Sequence, residues 1–257
     1  VSEHLKIERD GQVLVLTLNR PEKKNAITDA MYAALAGALE AAESDKAVRA
    51  ILIRAEGETF CAGNDISDFI LVATGQRGPA EAAVVRILRA LATAEKPLVA
   101  AVKGAAIGIG ATLLLHCDLV YVAEDAQLKT PFADLALTPE AASSLLLPLR
   151  IGHQRAFAMF ALGEALSGRQ AADLGLANAA LPAWQVDAEA LKAAQALAVR
   201  PTGALVQTKR LMRDAEAIWA LMQTEMRVFF ERLSTPEARE AFTAFAERRP
   251  PDFSKLD

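Results

Sequence analysis

The sequence predicts an α/β core that gives way to a helical C-terminal region, and three observations predict it. Apolar runs of strand length alternate with segments of helical periodicity through the first half of the 257-residue chain. Two glycine-bearing turns follow directly on strand ends in that half. Past about Ser143 the strand signals stop, and alanine-rich helical patterns run on to Glu247.

In order, residues 12–19 carry the run Val13-Leu14-Val15-Leu16-Thr17-Leu18, a buried strand closed by Asn19-Arg20-Pro21, whose proline ends regular pairing. Thr28 and Asp29 can cap the next segment, where Met31, Leu35, Ala38 and Leu39 recur at helical spacing. Residues 48–53 form a second buried strand. A helix over residues 79–93 is broken by Lys96-Pro97 ahead of a strand at Leu98–Val102. Gly104, Gly108 and Gly110 make the next turn, residues 111–116 are helical, and Leu119–Ala123 is another strand. In the tail, Leu205, Leu211, Trp219, Met222, Met226, Phe229 and Phe230 supply apolar faces suited to association.

The composition, 53% hydrophobic and 23% charged, allows a sizeable core in one large or two unequal domains. The net charge is −4 with lysine and arginine scattered, so no basic stripe points to nucleic acid. Cys61 and Cys117 lie far apart, each in an apolar run, which suits a reducing, cytoplasmic setting better than a disulfide framework or zinc cluster. Residues 1–9 are charged and alternating without a signal-like apolar stretch, and no apolar run reaches the roughly 18–20 residues that span a bilayer. The chain reads as soluble, unprocessed and not bound to a membrane.

Two segments carry the chemistry: Phe60-Cys61-Ala62-Gly63-Asn64-Asp65-Ile66 after the second strand, and Gly104-Ala105-Ala106-Ile107-Gly108-Ile109-Gly110-Ala111 after the third. Small residues let a ligand approach the backbone. A helix opening at Gly110 leaves N–H groups near Ile109 free and favourable for negative charge. That outlines an oxyanion site; the same residues also read as two glycine turns with no ligand. A dinucleotide fingerprint fails, because Leu113 stands where the third glycine belongs. Neither a P-loop nor a G-x-S-x-G elbow is present, and His4, His116 and His153 lack metal-ligand spacing.

The run Asn19-Arg20-Pro21 through Asn25-Ala26, the F-C-A-G-N-D-I loop, the Lys103-Gly104 turn and Cys117-Asp118 follow one another as in the enoyl-CoA hydratase/isomerase (crotonase) superfamily, which the chain resembles over nearly its whole length. The resemblance implies a spiral of repeated β-β-α units over residues 1–195, binding acyl-CoA, and a C-terminal helical region over 196–257 that builds homotrimers or homohexamers. It implies that the amides of Ala62 and Ile109 hold the thioester oxygen. It places Lys24, Ala26, Gly63, Asn64, Asp65, Ile66, Gly108 and Phe132 around the acyl-CoA, with no metal and no cofactor beyond the substrate's own coenzyme A.

The hydratases of that superfamily use two glutamates, at positions held here by Thr112 and Phe132, neither of which is a serviceable acid or base near neutrality. Thr130-Pro131-Phe132 followed by Pro139-Glu140-Ala141-Ala142-Ser143-Ser144 resembles instead the Δ3,Δ2-enoyl-CoA isomerase branch, in which the glutamate is the base. The resemblance therefore assigns Glu140 as the acid/base of an isomerase in fatty-acid breakdown. An atypical hydratase, a thioester hydrolase and a silent acyl-CoA-binding protein are the rival readings.

Other readings of the same residues stay open. Glu140 also suits the first turn of a helix behind Pro139. Asp134 is an alternative base or a surface residue, and Asp65 a loop tie. His116 is either a site residue or a satisfied core histidine. Lys23, Lys24, Arg248 and Arg249 are either partners of coenzyme A phosphates or solvated surface charges.

Overall fold

The structure is a computed structural model and describes residues 2–65 and 81–256; Ile66 and the start of the expected 79–93 helix lie outside that range. The chain opens on a hairpin, in which β1 (Leu5–Asp10) pairs antiparallel with β2 (Val13–Leu18) across Gly11, whose φ is +57°. The charged N-terminus is thus an edge strand. Only Leu5 of its residues is buried, so its apolar signal is weak, and charges on an edge discourage further pairing.

Inward from β2 the strands run parallel: β3 (Ala50–Ala55), β4 (Leu98–Val102), β6 (Leu119–Ala123) and β9 (Ala179–Leu181) complete a six-stranded sheet ordered β1-β2-β3-β4-β6-β9. Strands covered on both faces need continuous apolar runs, which is what β2 and β4 show: every residue of each is buried. A smaller sheet holds β5 (Ala105–Ile107), β7 (Gln127–Lys129) and β8 (Ala165–Ser167). β5 follows β4 and β7 follows β6 after a few residues, and the bridges Ile27↔Asn64 and Cys61↔Ala106 carry this second layer back across the earlier repeats. The result is a spiral of β-β-α units.

The helices between strands are α1 (Asp29–Ser44), α2 (Glu81–Thr93), the single turn α3 (Ile109–Thr112) continued by a 3-10 turn at Leu113–His116, α4 (Ser143–Ile151), α5 (His153–Ala161), α6 (Gly168–Asp173) and α7 (Ala183–Ala198). Thr28 caps α1 as the sequence suggests, its hydroxyl accepting from Met31 N. Three helices close the chain: α8 (Thr202–Met212), α9 (Ala215–Leu233) and α10 (Pro236–Glu247).

Three expectations need correcting. Strands do not stop near Ser143; β8 and β9 lie beyond it, each three residues long and too short to show a period. Residues 105–107, read as part of a turn, form β5. Residue 195 lies inside α7, whose Val186, Ala190, Ala194 and Ala198 are buried and which packs on β3, β4 and β6, so the passage to the tail falls near Val199 to Pro201. The tail itself is not an appendage. Ile218 and Met222 of α9 join the main core, while Phe229 and Leu233 form a second cluster with Phe132, Leu137, Ala238 and Phe242. Among the described residues no helix is long and apolar enough to cross a membrane, and no group of histidine, cysteine or carboxylate side chains is arranged to hold a metal ion.

Candidate active site

The first loop is held by residues that look unremarkable in sequence. Lys24 and Asn25 both take left-handed backbone, with φ of 51° and 55°, closing a tight turn after Pro21. Asn25 is fully buried: its carbonyl oxygen accepts from Arg20 N at 2.8 Å, and its amide donates to Glu56 O and Thr59 O at 2.9 and 2.7 Å. Arg20 donates to Ala26 O at 3.0 Å and to Asp65 at 2.7 Å. The Asn19-Arg20-Pro21…Asn25-Ala26 pattern therefore staples the 56–65 loop, and Asp65 is the loop tie.

The same wiring decides which amides face a ligand. Ala62 N–H donates to Lys24 O at 3.0 Å and is not available to an oxyanion, a correction to its expected role. Ile27 bonds Gly63 O and Asp65 N, at 2.8 and 2.9 Å, on either side of Asn64. In a parallel bridge this turns the N–H of Asn64 away from Ile27, toward the side where Cys61 pairs with β5. There it meets no acceptor among the described residues. Ile109 opens α3 after Gly108, whose φ of 55° and ψ of −122° lie outside the range of other residues. As the first residue of a helix, Ile109 has an N–H that meets no acceptor among the described residues. Gly63 and Gly108 lie against each other: a Cβ on Gly108 would be 4.0 Å from the Cα of Gly63, and one on Gly63 would be 3.2 Å from Ile107 O. Among the described residues two amides without an acceptor, those of Asn64 and Ile109, thus flank one backbone junction.

Glu140 lies over the same helix start. It is 8% exposed, and Thr112, three residues on from Ile109 and so on the same helical face, donates to its Oε1 at 2.5 Å. Burial pushes its carboxyl up to about 8; the Thr112 hydroxyl opposes that shift and the charge of Glu225 adds to it. Tyr32, 4% exposed, donates to the side-chain oxygen of Asn64 at 2.5 Å, and its phenol is held well above the ordinary value by burial and by the charge of Glu140. Burial likewise pushes the Cys61 thiol to about 12, so it is no nucleophile at neutral pH. Removing the Thr112 hydroxyl in Thr112→Val should raise Glu140 further. The acid limb of the kcat–pH profile is expected to move to higher pH, and an unmoved limb would separate Thr112 from the base.

Glu140 is not a helix-terminal carboxylate. Ala141 and Ala142, with φ of 59° and 56°, separate it from α4, which starts at Ser143. Two consecutive left-handed alanines cost on the order of 1–2 kcal/mol each, and the turn is held from both sides. Glu225 of α9, 7% exposed, accepts from Ala142 N at 2.5 Å and from Ser144 N and Oγ at 3.1 and 2.5 Å. His116, fully buried, meets Ala141 O through Nε2 at 2.8 Å, while Arg213 donates to its Nδ1. Burial and the Arg213 charge push the ring down to about 3, so it is neutral, with the proton on Nε2. His116 is the satisfied core histidine.

The remaining expected residues divide. Gly63, Asn64, Gly108 and Ile109 converge with Glu140. Lys24 has an exposed side chain and takes the Ala62 amide on its backbone carbonyl, and the Ala26 carbonyl accepts from Arg20. Phe132 belongs to the second core cluster, its ring 5.9 Å from that of Phe160. Asp134 is exposed, and Arg249 is paired with Glu240 and Glu247. The sequence reading missed Tyr32, Thr112 as the partner of Glu140, and Glu225. The first and last sit on ordinary amphipathic helices, and nothing in their spacing marks them.

A spiral α/β fold that sets two amides without acceptors among the described residues beside a buried carboxylate is an arrangement able to polarise a carbonyl and move a proton beside it. The enoyl-CoA hydratase/isomerase family model matches residues 8–255, and the chain belongs to that family. It is 36% identical over 254 residues to the 1,2-epoxyphenylacetyl-CoA isomerase of Escherichia coli (strain K12), covering 94% of this chain and 95% of that one. Enoyl-CoA delta isomerase 2 of Rattus norvegicus is 32% identical over 255 residues, 97% of this chain and 65% of its own length. The structure of Pseudomonas aeruginosa OdaA superposes with a TM-score of 0.90 at 45% identity, covering 95% of this chain and 99% of that chain. Other relatives of comparable identity carry hydratase names.

Proposed function

We propose that the protein is a Δ3,Δ2-enoyl-CoA isomerase that converts 3-enoyl-CoA to 2-trans-enoyl-CoA in fatty-acid metabolism. The observation that carries the reading is the buried carboxylate of Glu140 beside the amides of Asn64 and Ile109, which meet no acceptor among the described residues. With the thioester oxygen on those amides, ionised Glu140 takes a proton from C2. The C–H electron pair moves into the C1–C2 bond and the carbonyl pair onto oxygen, giving a dienolate. When the carbonyl re-forms, a double bond forms between C2 and C3, the old C3–C4 π pair takes the proton from Glu140 at C4, and atoms and charge balance. Each oxyanion donor is worth about 2.7–4 kcal/mol of transition-state stabilisation in related chemistry. A carboxyl raised toward neutrality by burial is a stronger base than one in water.

Hydration is the second reading, favoured by the hydratase names among relatives. The site offers it little: Thr112 stands where a second carboxylate would position water, and both oxygens of Glu225 are already engaged. An ultraviolet assay separates the two, since 3-hexenoyl-CoA gains conjugation on isomerisation while a 2-enoyl-CoA loses it on hydration. Growth of the conjugated-thioester absorbance is the expected result. Hydration without isomerisation would replace the reading, and tight coenzyme A binding without any turnover would make the protein an acyl-CoA-binding one.

The reading extends to a cytoplasmic homotrimer or homohexamer that needs no metal, nucleic-acid partner or separate cofactor. Leu145, Leu149, Phe157 and Leu162, on or just after α4 and α5, are 44–73% exposed and offer apolar surface for association. Sedimentation equilibrium giving a monomer mass at working concentration would remove that part of the proposal.

A further inference from the structure

We propose that Glu225 is a positioning residue for the reaction: its ionised carboxylate clamps the left-handed turn that aims Glu140 and supplies the negative charge that makes Glu140 a stronger base. The inference rests on Glu140 being the base, but not on which enoyl-CoA reaction that base serves.

The geometry has two parts. Ala142 N–H goes to one oxygen of Glu225, and Ser144 N–H and Oγ–H go to the other. The ionised form accepts all three at once, whereas a protonated carboxyl would need the Ser144 hydroxyl to turn and accept, so the three donors favour the carboxylate. Ala142 directly follows Ala141, whose carbonyl takes the Nε2 hydrogen of His116. The two residues after Glu140 are thereby fixed by one acceptor from α9 and one donor from the 3-10 turn after α3. Without them, backbone that alanine disfavours has nothing to keep it left-handed.

The second part is charge. Among the described residues the groups around Glu140 are Tyr32 from α1, Cys61 from the loop after β3, Thr112 from α3, His116 from the following turn and Glu225 from α9. Tyr32 and Cys61 hold their protons and His116 is neutral, so at neutral pH Glu225 brings the charge among these neighbours. Arg213, Arg150 and Lys209 act on the His116 side, where they keep that ring neutral. Glu225 itself is raised overall, by burial, with its three donors opposing the shift. A second buried negative charge raises the proton affinity of its neighbour, and a glutamine cannot do so.

The test reads Glu140 without substrate, by the carbon-13 carboxyl shift of protein labelled at glutamate Cδ, with the Glu140 signal assigned by its loss in Glu140→Gln. In Glu225→Gln the Glu140 midpoint is expected to fall by roughly one pH unit or more. The kcat–pH profile should shift equally, and KM should stay near wild type. Glu225→Asp retains the charge but shortens the clamp, so the midpoint should hold while kcat falls about tenfold or more. An unmoved midpoint in folded Glu225→Gln overturns the charge role. Wild-type kcat in Glu225→Asp overturns the clamp and also decides the matter if Glu225→Gln does not fold. Absence of isomerase turnover in the wild type defeats the reading of the reaction and leaves this titration to judge Glu225 alone.

Discussion

Glu140→Gln is expected to lower isomerase kcat by roughly 10²–10⁴-fold, the range that one general acid–base residue contributes, while binding of coenzyme A and the fold persist. The same substitution should make the protein more stable in mild base. The Glu140 carboxyl sits at about 8 in the folded chain against an ordinary 4.5, so between those values the folded state holds a proton that the unfolded state has released. Stability therefore falls as pH rises through that window, by about 1.4 kcal/mol for each unit of separation and a few kcal/mol in all. Glutamine removes the penalty and can still accept from Thr112. Denaturant melts of both proteins at pH 5 and pH 9 would show it: the stability gap should be small at pH 5 and favour the variant at pH 9. Equal gaps would place the carboxyl in a wetter setting than its 8% exposure describes.

Gly104→Ala is expected to be the most damaging single-methyl change, costing roughly 3–5 kcal/mol or preventing folding. Gly104 has a φ of +62°, and a Cβ there would sit 1.8 Å from Glu58 O, a backbone atom with no side-chain freedom to yield. The clash would push β5 off the loop it joins through Cys61↔Ala106, and with it the helix start that presents Ile109. A chemical melt is the direct measure. A loss below about 1 kcal/mol would mean that the close approach is not needed.

Where burial was two-sided, the sequence was explicit. The runs of β2, β4 and β6 and the cap of α1 are legible because continuous apolar stretches and an N-cap threonine have few alternative uses. β5, β8 and β9 were not, since three residues carry no period and their pairing is settled by distant strands. The site divides in the same way. Glu140 and Ile109 were legible by resemblance and by helix-end chemistry. The choice between Ala62 and Asn64 depended on which loop amide the Lys24 carbonyl accepts from, a consequence of two left-handed residues that sequence spacing does not reveal. Glu225 acts across 83 residues of chain, on a helix whose pattern reports only that one face is apolar.

The far edge of the large sheet has a consequence for how the chain is made. β6 ends at Ala123, but the strand that covers it, β9, begins only at Ala179. At synthesis rates of about 5–20 residues per second, roughly 55 intervening residues leave that edge bare for about 3–11 seconds on the ribosome. An uncovered strand of buried valine and alanine is a template for pairing with another nascent chain. Yield in a living host should therefore respond to chaperone supply and to translation speed between codons 123 and 181 more than to the melting temperature of the finished protein.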